Sequence, residues 1–275
     1  QGYKADFLNV PGQGLDAVTV DLPTATNPGV LATTNAGDTL LNYQNFSVAM
    51  HAKRRLALFT ASNVTGEQKL RRPEAGKDYT RKGLSGLGEN DMEKWFTDSR
   101  LDPRFQLPDA FFTKDRKAFD KGHIVRRDDV AWGKSYAKLK LANGDTYHVT
   151  NCSPQVKGYN QSAQGEVNWG DLENKVLSQA ANERLCVFAG PVLKSDDQVF
   201  TGVGDGGTVI KARIPARFWK VVVTRVADGL AAYGFVLEQD LSDVAFESVE
   251  PAEFEFVVPA EFEPFLYPLS EIEEM

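Results

Sequence analysis

The stretch Phe119–Asp129 reads FDKGHIVRRDD, and its histidine, His123, is one of only three in 275 residues. An imidazole with an ordinary pKa of about 6.5 takes up a proton near neutral pH. Gly122, directly before it, lets the backbone bend or a ligand come close. Asp120 lies three residues upstream, and Lys121, Arg126 and Arg127 bring positive charge suited to phosphate oxygens. From these residues alone, His123 as a proton acceptor and His123 as a satisfied structural histidine both remain open.

A second stretch, Thr150–Gln161, reads TNCSPQVKGYNQ. It places Asn160 and Gln161 in a polar loop ahead of a helix. An asparagine carbonyl is a hard oxygen donor suited to Mg²⁺, an ion that keeps most of its waters. An isolated Asn-Gln pair is equally a turn or a cap. The remaining histidines, His51 and His148, read as structural, and Trp95 and Trp132 as core or loop anchors rather than stacking platforms. Cys152 and Cys186 form no CxxC pair and read as buried free thiols of a reducing compartment, which slightly favours an intracellular setting. No zinc-ligand spacing is present.

Several elements must position these groups. Phe46–Val64 alternates as two strands, with Lys53–Arg55 near the bend. Residues 65–118 read as turns and short helices, one of them around ENDMEKWFTD. Tyr136–Asn151 alternates about Asn143-Gly144, which predicts a β-hairpin. Trp169, Leu172, Val176, Leu177 and Ala180 recur at helical spacing within Glu166–Glu183. Arg184–Leu193 reads as a buried strand. Phe218–Gln239 reads as a strand pair turning at Asp228-Gly229. The order of elements predicts one α+β domain with an antiparallel sheet core and flanking helices, spanning 46–275, with 1–45 as an extended N-terminal arm over the body.

The net charge of −7 is unevenly distributed. Residues 240–275 carry 11 acidic side chains and no Lys or Arg, leaving 31 basic against 27 acidic residues in the body. Such a body suits a polyanion, and the tail suits either mimicry or a solvated acidic face. The many aromatics of the tail favour docking on the body. No apolar run approaches the roughly 20 residues of a membrane span, so no membrane partner is expected. The start at Gln1 reads as that of a processed chain or a piece of a longer one.

Taken together, DKGH and TNCSPQ…YNQ…NWGDLE resemble the Asp-Arg-Gly-His and Ser-Asn-x-x-Pro-Gln…Leu-Asn-Gln…Trp-x-x-Leu-Glu patterns of the DNA/RNA non-specific endonucleases with a ββα-metal, or His-Me finger, site. VFAGPVL, IPARFWKVVV and AAYGFVLEQ resemble later strands of the same family, in the same order. The resemblance implies His123 as general base on the attacking water and Asn160 as the protein ligand of a catalytic Mg²⁺, with Mn²⁺ as a substitute. It implies Glu173 as the acid that orders the metal's water shell, and Asn151 and Gln155 as braces, with Asp120 and Gln161 supporting the site. Lys121 stands where the family usually has arginine, keeping the charge without the fork. Arg100 and Arg126 are the candidates for a transition-state arginine. The implied partners are DNA and RNA as substrates, with a dimer or a regulatory domain of a larger chain left open. A nuclease effector of a toxin or defence protein and a non-catalytic nucleic-acid-binding module are the alternatives.

Overall fold

The computed structural model describes residues 2–10, 16–88, 90–113, 118–160, 169–170, 172–174, 183–226, 229–246, 266–267 and 269–273. β2 (Phe46–His51) and β3 (Leu56–Thr65) form the antiparallel pair expected from their alternation, and Arg55 at the reversal has a φ of 59°. β1 (Leu40–Tyr43), inside the stretch read as an arm, adds to the edge of β2. β6 (Arg184–Pro191) pairs with β3 on one side and with β9 (Arg217–Val226) on the other. β9 and β10 (Gly229–Glu238) flank the expected reversal, whose Asp228 lies outside the described residues. With the two-residue β11 (Leu266–Tyr267), these make a seven-stranded antiparallel sheet in the order β1-β2-β3-β6-β9-β10-β11. The fold is therefore the α+β class with an antiparallel core.

Nearly every side chain of β3 is buried, because both faces of the sheet are covered. On one face, Phe7 and Leu8 of the N-terminal residues pack with Ala61, Cys186, Phe188 and Val223. Gly2, Tyr3 and Lys4 fasten that segment through hydrogen bonds to Tyr43, Ser47 and Asn63. On the other face, Leu185, Val187, Phe218 and Val222 pack against Ile124, Tyr159, Trp169 and Leu172. This second layer carries β4 (Asp120–His123), β5 (Cys152–Gln155) and the short helix that follows them. β7 (Val199–Val203) and β8 (Val209–Arg213) form a separate hairpin. Both cysteines are buried and unpaired by disulfide, as expected.

The short helices are α1 (Gln68–Arg71), α2 (Arg81–Ser85), α3 (Asp109–Thr113), α4 (Arg127–Val130), α5 (Tyr136–Asp145), α6 (Lys157–Asn160), described helical residues within 169–174 (α7), and α8 (Leu269–Glu273). Three expectations fail. The hairpin predicted for Tyr136–Asn151 is α5 followed by a 3-10 turn at Val149–Asn151. Ser135 caps its first turn, strong helix formers fill Ala137–Ala142, and Leu139, Ala142 and Asn143 form the buried face. Asn143-Gly144 sits in the last turn rather than between strands. The helix expected around ENDMEKWFTD is also absent from the described residues there, which run irregularly and touch Tyr147 and His148 through a bridge at Phe96. Asn160 ends α6 rather than lying in a loop. Of the helix expected over Glu166–Glu183, 169–170 and 172–174 are helical, Glu183 is a bend outside it, and the remaining residues lie outside the described set. No helix among the described residues is long and apolar enough to cross a membrane.

The acidic tail touches the body at both of its described ends. Leu241, Val244 and Phe246 pack on the cluster of Phe111, Phe119 and Phe200. Leu266 and Tyr267 pair with Phe235 and Gly234, and Ile272 of α8 is buried. Phe254, Phe256, Phe262 and Phe265 lie outside the described residues. Truncation before Asp240 is expected to destabilise the fold by about 2–4 kcal/mol, lowering the melting temperature by roughly 5–10 °C. A truncated chain melting with the full one in a calorimetric scan would contradict a docked tail.

Candidate active site

A β-β-α unit places the predicted residues. β4 pairs antiparallel with β5, Asp120 opposite Gln155 and His123 opposite Cys152, and α6 follows β5 after one residue. Gly122 is forced by packing: a Cβ there would lie 2.0 Å from Gln155 Oε1 and 2.2 Å from its Cδ. Gln155 is fully buried and cannot swing away. Its amide Oε1 and Nε2 are both without a hydrogen-bond partner, as is Ser153 Oγ beside it. Buried amides rarely go unpaired without a ligand or water to serve.

Asn151 holds the exit of β4. Its Oδ1 accepts from Val125 N at 2.8 Å, and its Nδ2 donates to Val125 O at 2.9 Å and to Thr146 O at 3.1 Å. Its backbone carbonyl accepts from Ile124 N at 3.0 Å. The side chain thereby continues a two-stranded ladder that would otherwise end at His123.

Alternation along β4 divides the predicted site residues into two groups. Asp120 faces Asn160, whose Nδ2 donates to Asp120 Oδ2 at 3.1 Å. That bond turns the other end of the amide, Oδ1, away from Asp120. Lys121 and His123 face Trp95. Lys121 Nζ pairs with Asp109 at 2.7 Å and lies 5.8 Å from the Trp95 ring centre. The His123 ring lies 4.6 Å from Trp95 and 5.3 Å, edge on, from Tyr147. Its Nε2 is buried without a partner, while the residue as a whole is half-buried. Burial, with Arg81 and Arg127 nearby, pushes the His123 pKa down to about 3, so the ring is neutral at neutral pH. No hydrogen bond joins His123 to Asn160 among the described residues.

Glu173 sits deeper, on α7. Its carboxylate accepts from Lys220 Nζ at 3.3 Å, and both groups are buried. Lys220 also lies 4.3 Å from the Trp169 ring centre. Burial raises the Glu173 pKa to about 6, against the pull of Lys220 and with the push of Asp129. Arg126 acts electrostatically on both His123 and Glu173, and its Nη1 is buried without a partner. Arg100 is committed elsewhere: it clasps Asp98, donates to Asn42 O at 2.9 Å and stacks on Tyr43. Gln161 lies outside the described residues.

His51 and His148 are structural, as expected. His51 Nδ1 accepts from the backbone of Lys53 and Arg54, and His148 bonds Asp145 O and packs on Tyr43. Trp132 anchors a loop to Asn63 O. Trp95 is more than an anchor, since it covers His123. The expectations also omit Arg81, Glu93 and Tyr147 around His123, and Asp129 beside Glu173. The one visible signal was Lys220, a lone cation inside the apolar run FWKVVV.

No three His, Cys, Asp or Glu side chains cluster as a metal cage among the described residues. The oriented Asn160 carbonyl is a donor of the type that a hydrated hard cation accepts, and the unpaired Gln155 amide suits hydrogen bonds to such a cation's waters. A cleft of about 1490 Å³ lined by His51, Phe59 and Trp219 contains none of these residues.

Because Asn151 satisfies three buried backbone groups, Asn151→Ala leaves them unpaired and is expected to cost about 2–4 kcal/mol of stability. Urea titration checks this; a loss below about 1 kcal/mol would show that the ladder does not depend on the side chain.

The chain matches the DNA/RNA non-specific endonucleases over residues 24–274. It is 34% identical over 262 residues to the uncharacterized protein y4fB of Sinorhizobium fredii (strain NBRC 101917 / NGR234). That alignment covers 90% of this chain and 34% of the relative, so the chain spans about a third of the relative's length. The fold is similar to one in the crystal structure of the EndoG/EndoGI complex, with a TM-score of 0.56, 18% identity, and coverage of 86% of this chain and 83% of that one. At that identity the likeness is one of fold. With the family match running across nearly its whole length, the chain belongs to the DNA/RNA non-specific endonuclease family.

Proposed function

We propose that this chain hydrolyses phosphodiester bonds of DNA and RNA with little base preference, in a reaction that depends on a divalent cation, Mg²⁺ or Mn²⁺. The observation that carries the reading is the β4–β5–α6 unit, with a neutral histidine on the strand and an asparagine amide fixed to the same strand from the helix.

His123 is the general base in this reading. A neutral imidazole accepts a proton from the attacking water through the ring nitrogen that carries no hydrogen. Asn160 Oδ1 would hold the cation, whose charge would stabilise the developing negative charge on the phosphate oxygens. Asp120 orients that amide. Glu173 would accept hydrogen bonds from water around the ion, with Lys220 favouring its ionised form. Lys121 and Arg126 supply positive charge for the phosphate, and Arg126 bridges electrostatically between His123 and Glu173. Backbone-directed cations of this kind recognise phosphate rather than base edges, which fits cutting without sequence preference.

His123→Ala is expected to lower the rate of plasmid nicking and of RNA degradation by about 10²–10⁴-fold while the variant still folds and binds nucleic acid. EDTA is expected to abolish cutting by the unaltered chain. Cleavage at the normal rate by the variant would remove His123 from the mechanism. Binding without cleavage by the unaltered chain, with Mg²⁺ present, would favour the non-catalytic binding module instead.

A further inference from the structure

Nε2 of His123 is buried in this conformation, with the Trp95 and Tyr147 rings against the imidazole. The segment that covers the ring is Asn90–Asp98, and its Glu93 is clasped at one end of the cover. Arg81 of α2 donates to both carboxylate oxygens of Glu93 through Nε and Nη2, and the Tyr147 hydroxyl donates to Oε1. This is a bidentate fork plus a phenol, the arrangement by which proteins hold a phosphate as readily as a carboxylate. Glu93 is largely buried, while Arg81 opens to solvent. The Tyr147 ring packs edge on against His123 and 5.4 Å from Trp95, so the anion sits beside the catalytic ring. Burial works against the Glu93 carboxylate, but Arg81 and Tyr147 together hold its pKa below the usual range, with Arg127 adding to the pull. Arg81, Arg127 and Arg126 all act on His123, and Glu93 is the one acid that offsets them there.

We propose that Arg81 and Tyr147 form a binding subsite for a phosphate of the nucleic-acid backbone, and that Glu93 occupies it as a built-in substitute when no substrate is bound. The inference rests on the nuclease reading of the same site. An incoming phosphate takes the fork from Glu93. Release of Glu93 frees the segment that carries Trp95, and Trp95 then leaves the His123 ring open to water. One ion pair thus couples substrate binding to exposure of the base. Removing the Glu93 charge leaves the Arg81 fork without its carboxylate, while Arg127 remains close enough to act on the same place.

The test is binding of a fluorescein-labelled single-stranded DNA 12-mer, read by anisotropy in EDTA so that cleavage plays no part. Glu93→Gln is expected to bind at least about threefold tighter than the unaltered chain, because the displaced carboxylate no longer competes. Arg81→Ala is expected to bind more weakly, and the Arg81→Ala, Glu93→Gln double variant no more tightly than Arg81→Ala alone. Asp91→Asn, which removes a nearby exposed acid, controls for general charge and is expected to bind like the unaltered chain. Inorganic pyrophosphate is expected to compete with the oligonucleotide more effectively on Glu93→Gln. Circular dichroism melts establish that each variant is folded, and Glu93→Asp, which keeps the charge but shortens its reach, is the substitute if Glu93→Gln does not fold, with an intermediate gain in affinity expected. Glu93→Gln, or in its place Glu93→Asp, binding no tighter than the unaltered chain would overturn the subsite, as would an equal gain on the Arg81→Ala background. A chain that cuts nucleic acid while Glu93→Gln shows no gain contradicts the subsite alone. A chain that shows the gain but never cuts with Mg²⁺ contradicts the nuclease reading and leaves the subsite standing.

Discussion

The buried amide of Asn151 is the constraint on which the site depends. A two-stranded ribbon of four residues per strand is marginal by itself. Asn151 extends it by three hydrogen bonds to the backbone of Val125 and Thr146, which ties β4 and the turn into α4 to the end of α5. His123 is the last residue of the ribbon, so its ring position follows from where Asn151 holds the next two residues. The same ribbon rests on the main sheet through Ile124 and Tyr159, so the layer with the candidate site and the core are one packing unit.

The second feature is polar burial without full pairing. Gln155, Ser153, His123, Arg126, Tyr159 and Trp169 each have a buried polar atom with no partner, all within or beside the β-β-α unit. Each such atom costs free energy in the absence of a ligand. Others lie elsewhere, at Gln44, Arg54 and Arg225, but the group around the β-β-α unit suits a site for water, an ion and phosphate oxygens. The Glu173–Lys220 pair follows the same logic. Buried ion pairs add little stability once desolvation is counted, so this one is better understood as fixing a charged carboxylate at a chosen depth.

Much of this was legible in the sequence, and the rest was hidden for identifiable reasons. The β2–β3 and β9–β10 pairs announce themselves by period-two alternation, and the DKGH and TNCSPQ stretches mark the candidate site through their likeness to the family's patterns. Tyr136–Asn151 misled because its apolar and polar residues alternate by accident, while Ser135 and the run of helix formers carried the decisive information. The neighbours of His123 could not be read at all. Glu93 and Arg81 lie 30 and 42 residues before it, in a segment with no periodicity, and meet it only through tertiary packing. Gly122 illustrates the opposite case: the sequence suggests close approach, and the approaching group is the side chain of Gln155.

The account stands or falls on Asn160 as the protein ligand of a hydrated divalent ion. The direct measurement is a crystal structure of the chain soaked in Mn²⁺, with the ion located by anomalous scattering. The account requires the ion at about 2.1–2.2 Å from Asn160 Oδ1, with its other positions taken by water and Glu173 reached through a water. An ion more than about 4 Å from Asn160, or one bonded directly to Glu173, would contradict it.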